Sequence, residues 1–313
     1  MKHLIKSLLL GLIILTLLSS CFVYAEKKAE KKTITLSGAW AIYPTAVAWS
    51  KEFRKTHKDI KIEISAGGAG KGAADTISGL VDIGMVSRDP DPAEIAKGIS
   101  PVYILHDAVF PVMNANSPQA AAVMKRGIKL AEWQNLYLQG TQVSWSTFGG
   151  SKNPVSVYTR SDSCGAAAAW AKYLGNKKQE NLKGIGVYGD PGILVAVKKD
   201  PAGVGYSNFS YVFNRKGKIL DGILLVPIDV NNNGKADSNE ILTDRASAIA
   251  AIENGSYPVV RQSYFFVKGK PQGIVKEFIL FALSEKGTAI VNKVGTSLPI
   301  SATDRAKVIQ QLQ

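Results

Sequence analysis

The chain has 313 residues, 46% hydrophobic and 20% charged, enough for one large or two medium domains and unlike a disordered or collagen-type polymer. Two cysteines exclude a disulfide scaffold and any multi-cysteine zinc site. Lys plus Arg exceed Asp plus Glu by 38 to 25, and the resulting +13 suggests an anionic partner without saying which kind.

The N-terminus reads as an export signal. Lys2 and Lys6 flank the start of an apolar run over residues 8–18, which is of signal-peptide length and too short for a permanent membrane helix. Two cleavage points compete within residues 1–25. Leu18-Ser19-Ser20-Cys21 resembles the lipobox of bacterial lipoproteins, with Cys21 lipidated as the new N-terminus; Val23-Tyr24-Ala25 is an ordinary small-residue site. Either way the mature protein is expected in the periplasm or on the outer face of a bacterial membrane, touching lipid only through Cys21. Residues 26–32 (EKKAEKK) have charge without apolar periodicity and read as a solvated tether. With Cys21 removed or acylated, Cys164 is expected as a lone thiol packed in a site or core.

The body alternates strands and helices. Strand-type runs fall at 33–37, 60–65, 81–86, 108–113, 155–159, 223–228 and 259–267. Helical spacing falls at 44–55, 72–80, 130–138, 166–174, 193–199, 245–253 and 273–283. The alternation predicts an α/β architecture with mostly parallel sheets. The polar, proline-containing segment 114–118 suggests a domain boundary.

Three strand-to-helix turns have the composition of anion sites: 37–41 (SGAWA), 67–72 (GGAGKG) and 160–165 (RSDSCG). Small residues let a ligand approach the backbone, and free N–H groups with the positive end of a helix dipole favour an anion. Lys71 and Arg160 add full charges beside two of them. Taken alone, each turn is accounted for by closing a strand–helix connection; convergence would make them a site. A nucleotide loop fails twice, because Ser65 stands where the first glycine of a P-loop belongs and Gly72 where its Ser/Thr belongs.

Residues 229–240 match D-x-[DN]-x-[DN]-G-x5-E at every fixed position. Asp229, Asn231 and Asn233 would offer side-chain oxygens to Ca²⁺ and Lys235 its carbonyl, with Asp237 direct or through water and Glu240 bidentate. The preceding 222–228 reads as a strand, so the segment is no helix-loop-helix, and the expectation is one structural calcium ion. A metal-free turn held by side-chain-to-backbone bonds is the alternative.

Enzymatic signals are thin. Of three histidines, His57 and His106 lie beyond the signal, without zinc or triad spacing, and both read as structural or solvated. A thiol enzyme built on Cys164 beside Arg160 is the formal alternative. The basic run 51–61 reads as a solvated helix face, so no nucleic-acid partner is expected.

Six segments then occur in order: LSGAWAIYP (36–44), SAGGAGKG (65–72), DIGMVSR (82–88), RSDSCGA (160–166), GVGYSN (203–208) and NGSYPVVRQSYF (254–265, with Phe266 following). Together they resemble the periplasmic phosphate-binding proteins of ABC importers, the PstS group within the type II periplasmic binding proteins, over nearly the whole mature chain. The resemblance implies a two-lobed α/β fold, hinged by two crossing strands, that closes on a dehydrated oxyanion. It implies a solute-binding component, not an enzyme, that delivers phosphate or a related tetrahedral oxyanion to an ABC permease. Sulfate-, molybdate- and tungstate-class ions stay open as ligands, as does an extracytoplasmic sensor or scavenger without a transporter. The lobes are expected at 33–116 with 245–313, and at 117–244.

By position, the family's contact loops fall on Ala41, Ile42 and Tyr43; on Ala69, Gly70 and Lys71; on Ser87 and Arg88; and on Arg160, Asp162, Cys164, Gly165 and Ala166. Hydroxyl residues of the familiar phosphate binder are replaced here at Ile42, at Ala69 or Gly70, at Cys164 and at Ala166. The aspartate that accepts a hydrogen bond from protonated phosphate gives way to Ser87 or Arg88, unless Asp89 reaches in. The resemblance with these departures implies recognition through backbone N–H groups and the forks of Arg88 and Arg160 more than through hydroxyls, with Asp162 orienting Arg160.

Overall fold

The computed structural model describes residues 32–140 and 142–313, and its folded unit runs from Thr33 to Gln313. The expected signal peptide, Cys21 and the tether through residue 31 lie outside the described residues. The first part of the chain runs β1 (Thr33–Gly38), α1 (Tyr43–Phe53), β2 (Lys61–Ala66), α2 (Ala69–Ser78), β3 (Ile83–Val86), α3 (Pro92–Ala96) and β4 (Ile99–Asn114). It continues through α4 (Ala120–Arg126), β5 (Ile128–Lys129), α5 (Leu130–Leu138), β6 (Ser156–Arg160), α6 (Gly165–Tyr173), β7 (Ile185–Val187), α7 (Gly189–Lys199), β8 (Gly203–Asn208) and α8 (Phe209–Val212). The last part is β9 (Ile223–Leu225), β10 (Ile228–Asp229), α9 (Arg245–Glu253), β11 (Val260–Lys268), α10 (Gly273–Leu283), α11 (Glu285–Val294), β12 (Leu298–Pro299) and α12 (Ala302–Leu312).

In the first lobe β1 lies between β2 and β3, parallel to both, because α1 and α2 supply the crossovers that parallel pairing needs. Helix α1 turns Ala46, Trp49 and Phe53 inward at helical spacing, and the Trp49 indole donates to the carbonyl of Gly287 at 3.0 Å. In the second lobe β6 pairs in parallel with β7 and β8. The expected mostly parallel sheets are corrected here: β4 pairs antiparallel with β11, β8, β9 and β12, so the sheet is mixed.

Strand β4, 16 residues long, is where the chain changes lobe. Its Ile99, Val102, Ile104 and Leu105 lie in one hydrophobic core with β1, α1, β3, β11 and α10. Its Ala108, Val109, Phe110, Val112 and Met113 lie in a second core with α5, α6, α7 and β8. The return passes Tyr257 and Val259 of the second core before Phe265 re-enters the first. The expected lobe limits therefore move. Residues 108–116 and 245–259 go with the second lobe, because β4 continues unbroken through the boundary and Ala248 and Ala251 of α9 pack in the second core. The expected strand 223–228 splits into β9 and β10 around Pro227, which has no N–H to donate. No helix among the described residues is long and apolar enough to cross a membrane.

Candidate functional site

The turns converge. Gly68, at φ +93°, precedes α2, and a Cβ there would stand 2.5 Å from the carbonyl of Ser163 and 2.9 Å from Asp162 Oδ2. Two residues on, the Gly70 N–H donates to the Ser163 carbonyl at 3.0 Å, joining the second contact loop to the fourth. A Cβ on Gly165 would lie 2.0 Å from the carbonyl of Ser87, so the third loop abuts the fourth as well. From the first loop, Trp40 reaches the second lobe, making edge contacts with Tyr188 and Tyr211 at ring separations of 5.9 and 6.4 Å.

Most expected contact residues meet this site through their backbone. Ile42 and Ala69 point into the first-lobe core, Ala41 is buried, and Tyr43 packs partly buried against the same core. Helix α2 begins at Ala69, three residues earlier than its spacing predicted, so Ala69, Gly70 and Lys71 are its first turn. The N–H groups of Ala69, Gly165 and Ala166 meet no protein acceptor among the described residues. Two helix N-termini, one from each lobe, thus face each other with free donors and positive dipole ends.

Cys164 is the N-cap of α6: its Sγ accepts from Ala167 N–H at 3.4 Å, and its own N–H donates to Gln179 Oε1 at 2.9 Å. It is a buried free cysteine among the described residues. Burial pushes its thiol up to about 11, an effect that nearby Arg160 only partly offsets. Burial thus favours the protonated thiol, a weak hydrogen-bond donor, at neutral pH.

The cations behave differently from expectation. Arg160 Nε and Nη2 donate to the two oxygens of Asp162 at 2.7 and 2.6 Å, and Nη1 donates to Asp190 at 2.8 Å. Asp162 orients Arg160, as expected, but in doing so occupies its fork. Arg88 is held the same way by Glu94, at 2.9 and 2.6 Å, and Lys71 is paired with Asp75 one turn along α2. The open bidentate forks expected of Arg88 and Arg160 are thus closed by carboxylates of their own lobes. Asp89 forms an exposed inter-lobe pair with Lys172 at 2.7 Å. Ser87 is left as the buried polar side chain of the third loop.

Several residues of this region escaped the sequence. Asp190, fully buried in the first turn of α7, accepts from Arg160, from Ser207 Oγ at 3.0 Å and from Asn208 N and Nδ2 at 2.8 and 2.7 Å. Asn208 in turn accepts from Arg261, which is also paired with Asp107. Asn208 and Arg261 lie inside the motif series, so the signal was present; Asp190 and Asp107 had none beyond their positions at element ends. Beside these turns an open cavity of about 1240 Å³ is lined from both lobes by Arg88, Asp89, Ser163, Cys164, Lys172 and Arg261, among others.

The 229–240 loop forms a tight turn behind β10. Asp229 accepts from the N–H groups of Asn233 (3.1 Å) and Gly234 (2.7 Å), and Glu240 from those of Val230 (2.8 Å) and Asp237 (3.0 Å). The side-chain amides of Asn231 and Asn233 both donate to Asp237 Oδ2, at 2.7 and 2.9 Å. The strand entry agrees with the sequence. No group of three or more His, Cys, Asp or Glu among the described residues is arranged to hold a metal ion.

Residues 24–286 match a family model described as a PBP superfamily domain. The chain is 26% identical over 262 residues to the phosphate-binding protein PstS of Bacillus subtilis, covering 83% of this chain and 78% of that one. It is 27% identical over 285 residues to protein SphX of Synechococcus elongatus, covering 86% and 78%. A Clostridium perfringens protein described as a phosphate ABC transporter substrate-binding protein, solved with bound phosphate, superposes with a TM-score of 0.70 at 25% identity. That match covers 86% of this chain and all of the other. An ABC-type phosphate transport receptor of Vibrio cholerae shares the fold at a TM-score of 0.63 and 16% identity, over 85% of this chain and all of the other.

Proposed function

The chain belongs to the PBP superfamily, and on that premise we propose that it is an extracytoplasmic solute-binding protein of an ABC importer, taking phosphate between its lobes. The observation that carries the reading is the pair of facing helix N-termini. Free N–H groups of Ala69 on one lobe and of Gly165 and Ala166 on the other stand beside one inter-lobe contact. Such donors bind an anion without a matching side-chain charge, which suits a site whose arginine forks are already occupied. The names of the relatives above support phosphate as the first choice and an importer as the destination. Relatives named as phosphate-binding proteins support binding as the work of the site.

Selectivity should be modest. Discriminating phosphate from sulfate needs an acceptor for the proton that phosphate retains. Asp162, Asp190, Glu94 and Asp75 are each engaged by cations or hydroxyls already, and the third loop offers Ser87. Isothermal titration of the mature protein with phosphate, sulfate, molybdate and tungstate tests both statements. Saturable one-to-one binding of phosphate is expected, with sulfate competing; heat from none of the four would sink the oxyanion reading.

We also propose one structural calcium ion at the 229–240 loop. What supports it is the match of Asp229, Asn231, Asn233, Gly234 and Glu240 to every fixed position of the motif, with Lys235 and Asp237 as the remaining ligands.

A further inference from the structure

The two strands that carry the chain between lobes meet at a buried ion pair. Asp107 on β4 and Arg261 on β11 are register partners, and each stands where its strand changes core. Arg261 Nε donates to Asp107 Oδ2 at 3.0 Å, while Nη2 is shared between Asp107 and the side-chain oxygen of Asn208. Asn208 closes β8 and holds Asp190 with both its N–H and its amide, and Asp190 holds Arg160 Nη1. Arg160 is fixed at its other edge by Asp162, which also accepts from the Gly189 N–H at 3.1 Å. Every side chain in this series is at least nine-tenths buried. A continuous chain of hydrogen bonds therefore runs from the crossing strands to the loop that precedes α6.

We propose that Arg261 is a positioning residue for the anion site, transmitting the setting of the crossing strands to Arg160 through Asn208 and Asp190. The proposal rests on the oxyanion reading of the site. Lobe rotation must pivot where β4 and β11 change core, and there the Arg261 side chain bonds to the neighbouring strand and to the end of β8 at once. If the pivot shifts, the Arg261–Asn208 bond is strained first, and Asp190 then loses the alignment that holds the guanidinium of Arg160. Within the buried part of the series, at Asn208, Asp190 and Arg160, a lost partner leaves a charge or amide unpaired, which is costly. Lysine at 261 would keep the charge beside Asp107 but could not span both Asp107 and Asn208, since it lacks the planar fork.

The test is a double-mutant cycle in the mature protein, with inorganic phosphate as the probe, titration calorimetry for affinity and thermal unfolding as the control for fold. Arg261→Lys should weaken phosphate binding about tenfold, within the range typical of coupling between sites. Arg160→Lys should weaken it too, and the double variant should be no weaker than Arg160→Lys alone. Arg261 and Arg160 share no contact, so a merely structural loss at the hinge would add to the effect at Arg160 instead of being absorbed by it. If Arg261→Lys does not fold, Asn208→Ser takes its place, since it leaves the Arg261–Asp107 pair intact and severs the next link. Phosphate affinity within twofold of the parent, or additive losses, would overturn the relay alone; a parent that binds no phosphate would overturn both the relay and the site reading beneath it.

Discussion

Cys164 shows how one atom sets the character of the fourth contact loop. It caps α6 through sulfur, a weak acceptor, and offers the site a weak S–H donor. Cys164→Ser places a better N-cap and a shorter, stronger donor at the same point. Phosphate binding is expected to tighten by roughly three- to tenfold, the worth of about one net hydrogen bond. A titration in which the serine variant binds no more tightly than the parent would remove residue 164 from the ligand's surroundings. The thiol also has a pH signature. Its ordinary value is 9.0 and burial holds it near 11 in the folded chain. Between those values the unfolded chain gives up the proton while the folded chain keeps it. The contribution is thus complete below pH 9 and lost as pH rises through 11. Urea midpoints of parent and serine variant should diverge over that window, the parent falling faster; the comparison cancels the tyrosines, which titrate in both. At pH 8 the native thiol should resist iodoacetamide and react only in denaturant.

At the scale of elements, legibility followed how local the cause was. Helices α5, α9 and α10 have the limits their apolar spacing predicted, residues 130–138, 245–253 and 273–283. At the start of α9, Asp244 and Ser247 form a reciprocal cap that sequence-local chemistry dictates. Strand β8 (GVGYSN) reads in sequence as a motif without strand pattern, because its two glycines and polar end hide it; neighbours on both sides make it a strand. The first half of β4 is hidden by Pro101, which is tolerated because residues 99–103 pair with β11 on one side only. The anion turns are legible as turns, and so is Asp162 beside Arg160, yet the pairing of Glu94 with Arg88 and of Asp190 with Arg160 is not, since those partners are chosen by packing. The 229–240 loop is the reverse case, a motif read at once whose metal is the proposal. Asp229 and Glu240 serve backbone N–H groups and the two asparagine amides hold Asp237, so a cation would have to compete with these bonds. Calcium at a hundredfold excess over its Kd would add about 2.7 kcal/mol, or roughly 5 °C for a chain of this size. Scanning calorimetry with calcium and with EGTA should show that spread in the parent and none in Glu240→Gln. An unmoved parent would leave the loop held by its own hydrogen bonds.

For the whole molecule, the opening charge surplus shrinks to local arrangements. Lys71, Arg88 and Arg160 each have a carboxylate partner, so on the proposed function the attraction for an anion falls to the helix ends. Holding those ends together is a matter of inter-lobe contacts. The Lys172–Asp89 pair is two-thirds exposed on each side and is worth at most about 1 kcal/mol. The Gly70–Ser163 bond is single. Trp40 is the substantial contact: its ring lies against Tyr188 and Tyr211, above Gly189, where an added Cβ would come within 3.1 Å of the indole. Two aromatic pairs at about 0.5–1.5 kcal/mol each make closure favourable by roughly 1–3 kcal/mol through this one side chain. Trp40→Ala should therefore open the ligand-free protein, seen as a larger radius of gyration in solution scattering, and phosphate should bring the variant back toward the dimensions of the parent. The affinity should drop by the same factor, because binding must then supply the closure that Trp40 had supplied. Identical scattering of variant and parent without phosphate would mean that the lobes are set by the crossing strands β4 and β11, with the indole as a passenger.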